Sequence, residues 1–248
     1  MCGILGIQTK TIPASMKLLE EMTRTLTHRG PDAQKCELFP EYNVGLGHTR
    51  LSIIDLTESG NQPMSNQEGS IWVVFNGEIY NHVQLRSHLQ THGHKFNGSS
   101  DTEVIIHSYQ EWGIDCVKKF DGMFAFGIWD KSRETFFLAR DRLGIKPLVY
   151  YLDEDTFIFA SEIKAILAHP GIDKTRDDTA IYDYLTYGYI PSPKTPYKKI
   201  RKLEAAHTFT FRRDLSHYSK YWDIDFQSVS ELMDIEQATE LVSEQLSQ

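Results

Sequence analysis

Cysteine is scarce in this chain, with three in 248 residues, at positions 2, 36 and 116. Their spacing fits neither the paired clusters of a zinc site nor the framework of a disulfide-stapled secreted domain, so a reducing cytoplasm is expected. Apolar residues never run on for the ~18 positions a membrane span needs, and the first residues lack the basic region and long apolar stretch of a secretion signal. A soluble protein with no membrane partner is predicted. Positive charge is in deficit, with 26 Lys and Arg against 34 Asp and Glu, a formal net charge of −8. With no basic stripe carrying interleaved aromatics, nucleic acid is not an expected partner. The ten histidines are scattered, and His92 and His94, flanking Gly93, read as exposed turn residues rather than metal ligands. There is no internal repeat or low-complexity tract. What is present is a composition 40% hydrophobic and 12% aromatic, enough for a sizeable core in one large or two small domains.

The chain opens Met1-Cys2-Gly3-Ile4-Leu5-Gly6-Ile7. Cysteine is small enough to permit removal of the initiator methionine, which leaves a thiol and a free α-amino group on one residue. Such an amine has a pKa of about 7.7–8, so it can take the thiol proton directly or through one water, an established way to activate a nucleophile. Ile4, Leu5 and Ile7 predict a buried strand, and Gly3 and Gly6 admit close approach of other backbone. Read alone, these residues favour Cys2 as a small buried hydrophobe.

Helices are predicted over 14–26, with Ser15 near the start, and over 82–92, 163–169 and 178–187, with another opening at Ser99-Ser100-Asp101. Strands are predicted at 36–39, 44–50, 71–75, 120–129, 135–140, 148–152, 156–161, 208–211 and 218–222. Several are apolar on both alternating faces, and this predicts two stacked sheets with helices outside them. Between these elements lie candidates for chemistry. His28-Arg29-Gly30-Pro31-Asp32 is a rigid loop that equally serves as the wall of a site. Arg50 can grip a carboxylate through two parallel bonds, or serve a structural ion pair. Asn76-Gly77, where the strand of 71–75 is expected to stop, reads as a turn or as a two-donor oxyanion pocket. Asp101 caps a helix or holds a substrate ammonium. Asp141 to Pro147 reads as a turn braced by ion pairs, and the proline-rich 188–196 as a surface excursion.

Seven segments taken together, CGILGI (2–7), HRGPD (28–32), HTRLSIID (48–55), FNGEIYN (75–81), SDTEVI (100–105), GMFAFGIWD (122–130) and ARDRLGIKPL (139–148), resemble the class II glutamine amidotransferase domain of glutamine-hydrolysing asparagine synthetases. The resemblance covers most of the first 170 residues and continues more weakly to Tyr221-Trp222-Asp223. It implies an α+β fold, the four-layer αββα sandwich of N-terminal nucleophile hydrolases, with two mainly antiparallel sheets flanked by helices. It implies that Cys2 is the nucleophile, its α-amino group the base, and Asn76 and the Gly77 N–H the oxyanion hole. Arg50 would hold the α-carboxylate of L-glutamine, with Leu51, Ser52, Ile53 and Ile54 lining the pocket. Asp101, Glu78 and the Gly77 carbonyl would hold the α-ammonium. No metal or cofactor is expected for this step.

In that family a C-terminal synthetase domain uses ATP and Mg²⁺ to activate aspartate and receives the ammonia through a tunnel, for which Phe124 to Trp129 is a candidate wall. No SGGxDS-like phosphate loop occurs here, so residues 1–225 are expected to be the glutaminase domain. Residues 226–248, acidic and amphipathic, read as a linker or the start of an absent synthetase domain. KLEAAH (202–207) lacks the proline and glycine expected in that segment. Three alternatives follow: a different acceptor such as a sugar acid, a non-catalytic regulatory domain of the same fold, or hydrolysis of another amide. The residues leave the oligomeric state open, a homodimer included.

Overall fold

The structure, a computed structural model, describes residues 1–51, 60–212, 215–225 and 234–247. The first element is β1 (Gly3–Thr9), buried at Ile4, Leu5 and Ile7. Alternation sends Ile4 to one face of its sheet and Leu5 and Ile7 to the other, and each face finds its own core.

Around β1 the first sheet gathers β2 (Ala33–Phe39), β3 (Val44–Arg50), β8 (Val149–Leu152), β9 (Thr156–Ala160) and β10 (Ile200–Lys202), in the order β10-β8-β9-β1-β3-β2. The second sheet contains β4 (Met64–Ser65), β5 (Ile71–Ile79), β6 (Gly122–Asp130), β7 (Thr135–Arg140), β11 (His207–Arg212) and β12 (Leu215–Lys220), in the order β12-β11-β7-β6-β5-β4. Every registered pairing is antiparallel.

Three cores separate the layers. Ile4, Leu46, Val74, Trp129, Phe136 and Phe159 fill the space between the sheets. Leu5, Ile7 and Ile158 face outward onto Leu19 and Met22 of α1 (Met16–Arg24) and Ala165 and Ile166 of α4 (Ile163–Leu167). On the far side, Val73, Phe75, Phe124 and Phe126 meet Leu85 and Leu89 of α2 (His82–Thr91) and Val104 to Ile106 of α3 (Asp101–Trp112). The result is the expected αββα sandwich. Its central layer is tight: a Cβ on Gly6 or on Gly127 would sit 2.1 or 2.2 Å from the Phe159 ring, which wedges between β1 and β6. The close approach to Gly6 is therefore by an aromatic ring, not by backbone.

Most element expectations hold, including β3, β7 and α5 (Asp178–Tyr187) at their predicted limits. Ser15 caps α1 through Leu18 N–H, and Ser100 caps α3 through Thr102 N–H. Other expectations need correction. β5 does not stop at Asn76 but runs to Ile79, because Asn76, Gly77 and Glu78 pair with Ala125, Phe124 and Met123 of β6. The Asn-Gly is strand, not turn. The loop after β7 carries an ion pair, Arg142 to Asp121 at 2.9 Å, and is braced further by contacts to backbone. Buried Asp141 accepts from Phe124, Leu143, Ile145 and Lys146 N–H, while Arg140 donates to the carbonyls of Gly144, Lys146 and Leu203. Thr195, in the expected surface excursion, is fully buried and bonds the carbonyls of Tyr197 and Ile200. His94 is half-buried against His107 and Glu111. The last helix, α6 (Ile235–Leu246), begins with a capping box at Asp234 and leaves Ile235, Leu241, Val242 and Leu246 exposed.

Candidate active site

Cys2 immediately precedes β1, whose start is fixed by reciprocal bonds with Ser161: Ile4 N–H donates to Ser161 Oγ, and Ser161 N–H to the Ile4 carbonyl, each at 3.0 Å. The loop of residues 28–32 braces the backbone of Cys2 from behind the cleft rather than lining it. Gly30 lies so close to β3 that a Cβ there would be 2.4 Å from the Thr49 carbonyl. From this loop Arg29 Nε donates to the Cys2 carbonyl at 2.9 Å, and Arg29 Nη1 pairs with Glu162 at 2.9 Å. The nucleophile's backbone is thus held from both sides.

The thiol lies against Leu51: the Leu51 N–H points at Sγ from 3.5 Å, and the S–H reaches the Leu51 carbonyl at 3.8 Å. Burial pushes the Cys2 thiol up, opposed by the Leu51 N–H, the chain's N-terminal charge, Arg50 and Arg29. The resting group is therefore a neutral thiol at pH 7, and it needs a base. Here the Cys2 nitrogen is still in peptide linkage to Met1, which is exposed and lines the cleft.

That cleft, of about 110 Å³, is also lined by Arg50, Leu51, Gln62, Asn76, Gly77, Glu78, Asp101 and Lys146. Its donors are arranged by the strand period. Phe75 N–H donates to Gln62 Oε1 at 2.6 Å and Ile79 N–H to Asp101 Oδ2 at 3.0 Å, both on the edge of β5 away from β6. Alternation turns the intervening Gly77 N–H to the same edge, between those two bonds. A Cβ on Gly77 would strike the Met123 carbonyl at 2.1 Å, which keeps this position bare. Beside it the Asn76 side chain is buried, and among the described residues its Nδ2 has no hydrogen-bond partner. A buried unsatisfied N–H is costly, so Asn76 Nδ2 is a donor awaiting an acceptor.

Among the described residues, two charges of each sign line the cleft. Arg50, buried at the end of β3, donates through Nη1 to Asn61 Oδ1 at 2.8 Å. Lys146 is buried and joins it as a second cation. Against them stand Glu78 and Asp101. Burial pushes the Asp101 carboxyl up, with the Ile79 N–H and His82 opposing, so a cation bound there would be welcomed. Behind the cleft His48, on the same face of β3 as Arg50, spans to the other sheet at 3.3 Å from the Phe75 carbonyl. Burial lowers its pKa to about 4, so it stays neutral and donates through Nε2–H.

The structure therefore brings Cys2, Arg50, Leu51, Asn76, Gly77, Glu78 and Asp101 to one cleft. Ser52, Ile53 and Ile54 lie outside the described residues. No local pattern marks Gln62, Asn61 or Lys146 as site residues, and the cap of α3 is Ser100 rather than Asp101. A larger recess of about 540 Å³ lies elsewhere, lined by Glu41, Glu134, Asp153, Glu154 and Asp155 with Lys10. It contains no cysteine, and the chemistry favours the smaller cleft. Among the described residues no helix is long and apolar enough to cross a membrane.

Two stacked antiparallel sheets between helix layers make up the αββα fold class seen in N-terminal nucleophile hydrolases. The same fold is found in the solved glutamine phosphoribosylpyrophosphate amidotransferase from B. subtilis, at a TM-score of 0.65 and 19% identity over 89% of this chain and 49% of that one. Within that class the chain belongs to the glutamine amidotransferase domain family, whose model matches residues 1–222. It is 40% identical over 239 residues to asparagine synthetase [glutamine-hydrolyzing] 3 of Bacillus subtilis, covering 94% of this chain and 38% of that protein. It is also 40% identical over 244 residues to putative asparagine synthetase [glutamine-hydrolyzing] 2 of Methanocaldococcus jannaschii, covering 90% and 46%. A fungal relative, amidase chry2 of Gibberella zeae, is 34% identical over 237 residues, covering 92% and 34%. The chain thus spans less than half the length of these relatives.

Proposed function

We propose that this chain, once Met1 is removed, hydrolyses the side-chain amide of L-glutamine to glutamate and ammonia. The freed Cys2 amine takes the thiol proton and the thiolate attacks the amide carbon. Asn76 Nδ2–H and the Gly77 N–H stabilise the oxyanion that forms. The ammonium then returns the proton to the leaving nitrogen, ammonia departs, and the C–S bond remains as a γ-glutamyl thioester. Water activated by the same amine cleaves it and restores the thiol. Arg50 pairs with the α-carboxylate and Asp101, with Glu78 and the Gly77 carbonyl, takes the α-ammonium. Ser52, Ile53 and Ile54 complete the pocket in this reading. No metal or cofactor takes part in the step.

The observation that carries the proposal is the buried, unpartnered Asn76 Nδ2 lining the same cleft as the Cys2 thiol. A non-catalytic domain would gain stability by satisfying or replacing that donor. The charged clamps favour a free amino acid over other amides, because a substrate without both charges would leave them unpaired.

The ammonia is proposed to serve an acceptor domain that, with ATP and Mg²⁺, amidates aspartate, in keeping with the names of the relatives at 40% identity. Residues 1–225 form the glutaminase domain in this reading, and the exposed apolar side chains of α6 support 226–248 as the lead into the acceptor domain. Three free cysteines suit a reducing cytoplasm. The test is ammonia release from L-glutamine by the Met1-free chain, with Cys2→Ala as control. Glutamine-specific release lost in Cys2→Ala supports the reading. No release, alone or with an asparagine synthetase acceptor domain added, sinks it.

A further inference from the structure

L-Glutamine carries its reacting amide and its charged head at opposite ends of one flexible chain. A cleft that hydrolyses it must hold oxyanion donors and head-group charges at one fixed separation. Here those groups come from three elements in different layers. Asn76 and Gly77 are on β5, Arg50 ends β3 in the other sheet, and Asp101 opens α3 outside both.

Two consecutive residues reach all three. Asn61 Oδ1 accepts from Arg50 Nη1 at 2.8 Å. Gln62 Oε1 accepts from Phe75 N–H at 2.6 Å, one residue before Asn76, and Gln62 Nε2 donates to Thr102 Oγ1 at 3.2 Å, one residue after Asp101. The Phe75 bond exists because β4 is too short: it pairs only with Val73 and Trp72, so beyond that point the edge of β5 is met by a side chain. Gln62 is 6% exposed and lines the cleft. Both ends of its amide are engaged by protein, so it acts through those partners.

We propose that Asn61-Gln62 is the positioning element of this site, with Gln62 setting the separation between the oxyanion donors and the ammonium-binding carboxylate. Through that separation it matches the cleft to the length of glutamine. The inference rests on the glutaminase reading above.

The test compares two near-isosteric variants in the Met1-free chain. Gln62→Met removes both bonds, whereas Thr102→Val removes only the one toward α3. kcat and KM for L-glutamine are measured beside a thermal melt, which shows that the variant is folded, and Cys2 alkylation by iodoacetamide, which needs an accessible thiol but neither clamp nor oxyanion hole. Thr102→Val is expected to raise KM about tenfold with kcat within about twofold. Gln62→Met is expected to lower kcat as well, for a loss in kcat/KM of about 10², the scale of a 1 Å misplacement. Alkylation should match wild type in both. If Gln62→Met does not fold, the KM of Thr102→Val decides alone. The proposal is overturned if the folded variants keep kcat and KM within about twofold of wild type, or if activity falls only in step with the folded fraction. An inactive wild type would instead sink the glutaminase reading itself.

Discussion

Replacing Asn76 by Leu separates catalytic from structural value at one position. The side chain is 1% exposed and its Nδ2 has no partner among the described residues, so in the resting protein it is a desolvated donor without compensation. An unsatisfied buried polar group costs about 1–3 kcal/mol. Leucine is close in size and carries no such group, so Asn76→Leu should leave the fold as stable as wild type or more stable by up to about that amount. For a chain of this length that is roughly 2–4 °C of thermal midpoint per kcal/mol. Catalysis should move the other way. Losing one oxyanion donor costs about 10²–10³ in kcat, leaving the Gly77 N–H to act alone. The assay is a thermal melt beside steady-state ammonia release, with iodoacetamide alkylation to show that Cys2 is intact. A variant that melts well below wild type, or retains kcat within about tenfold, would refute the assignment of Asn76 as a donor held in reserve for the transition state.

Arg50→Lys keeps the charge but loses the two-bond fork, and Asp101→Asn removes the ammonium's counter-charge. Each should raise KM for L-glutamine about tenfold to a hundredfold, the worth of a hydrogen bond to a charged group, and equal KM values in steady-state assays would count against the head-group assignment. His48, neutral in the fold with a pKa of about 4, titrates near its ordinary 6.5 when unfolded. The unfolded chain therefore takes up more protons on acidification. Stability present above about pH 6.5 should drop by about 3 kcal/mol as pH falls to about 4, and His48→Gln should flatten that part of a pH series of denaturant melts. Gly127→Ala places a methyl 2.2 Å from the Phe159 ring and should cost about 1–3 kcal/mol through overpacking, read as a lower melting midpoint.

Local pattern made much of this fold readable. The alternation of Ile4, Leu5 and Ile7 specifies a strand buried on both faces, and Ser15 and Ser100 mark helix starts by chemistry that acts within three residues. The failures are non-local. Asn76-Gly77 carries a turn signal, yet nine registered pairs with β6 hold it in strand, and no local window contains that partner. The site divides in the same way. Side chains whose chemistry is specific by type, Cys2, Arg50, Asn76 and Asp101, stand out in the sequence. Gln62, Asn61 and Lys146 do not, because each matters only through what the fold places beside it. Leu51 was expected to line the pocket, but its contact with the thiol depends on β3 ending beside the start of β1, where Gly3 pairs with Thr49. Arg29 was readable as part of a rigid loop, while its hold on the Cys2 carbonyl required that loop to fold back on Thr49.

Acid-quenched intact mass after mixing the chain with L-glutamine tests the central claim most directly. The account predicts a species lacking Met1 and carrying one γ-glutamyl group on Cys2, formed with L-glutamine but not with D-glutamine and absent from Cys2→Ala. A folded, Met1-free chain that releases ammonia without that adduct even at the earliest quench, or whose Cys2→Ala variant releases ammonia as fast as wild type, would contradict it.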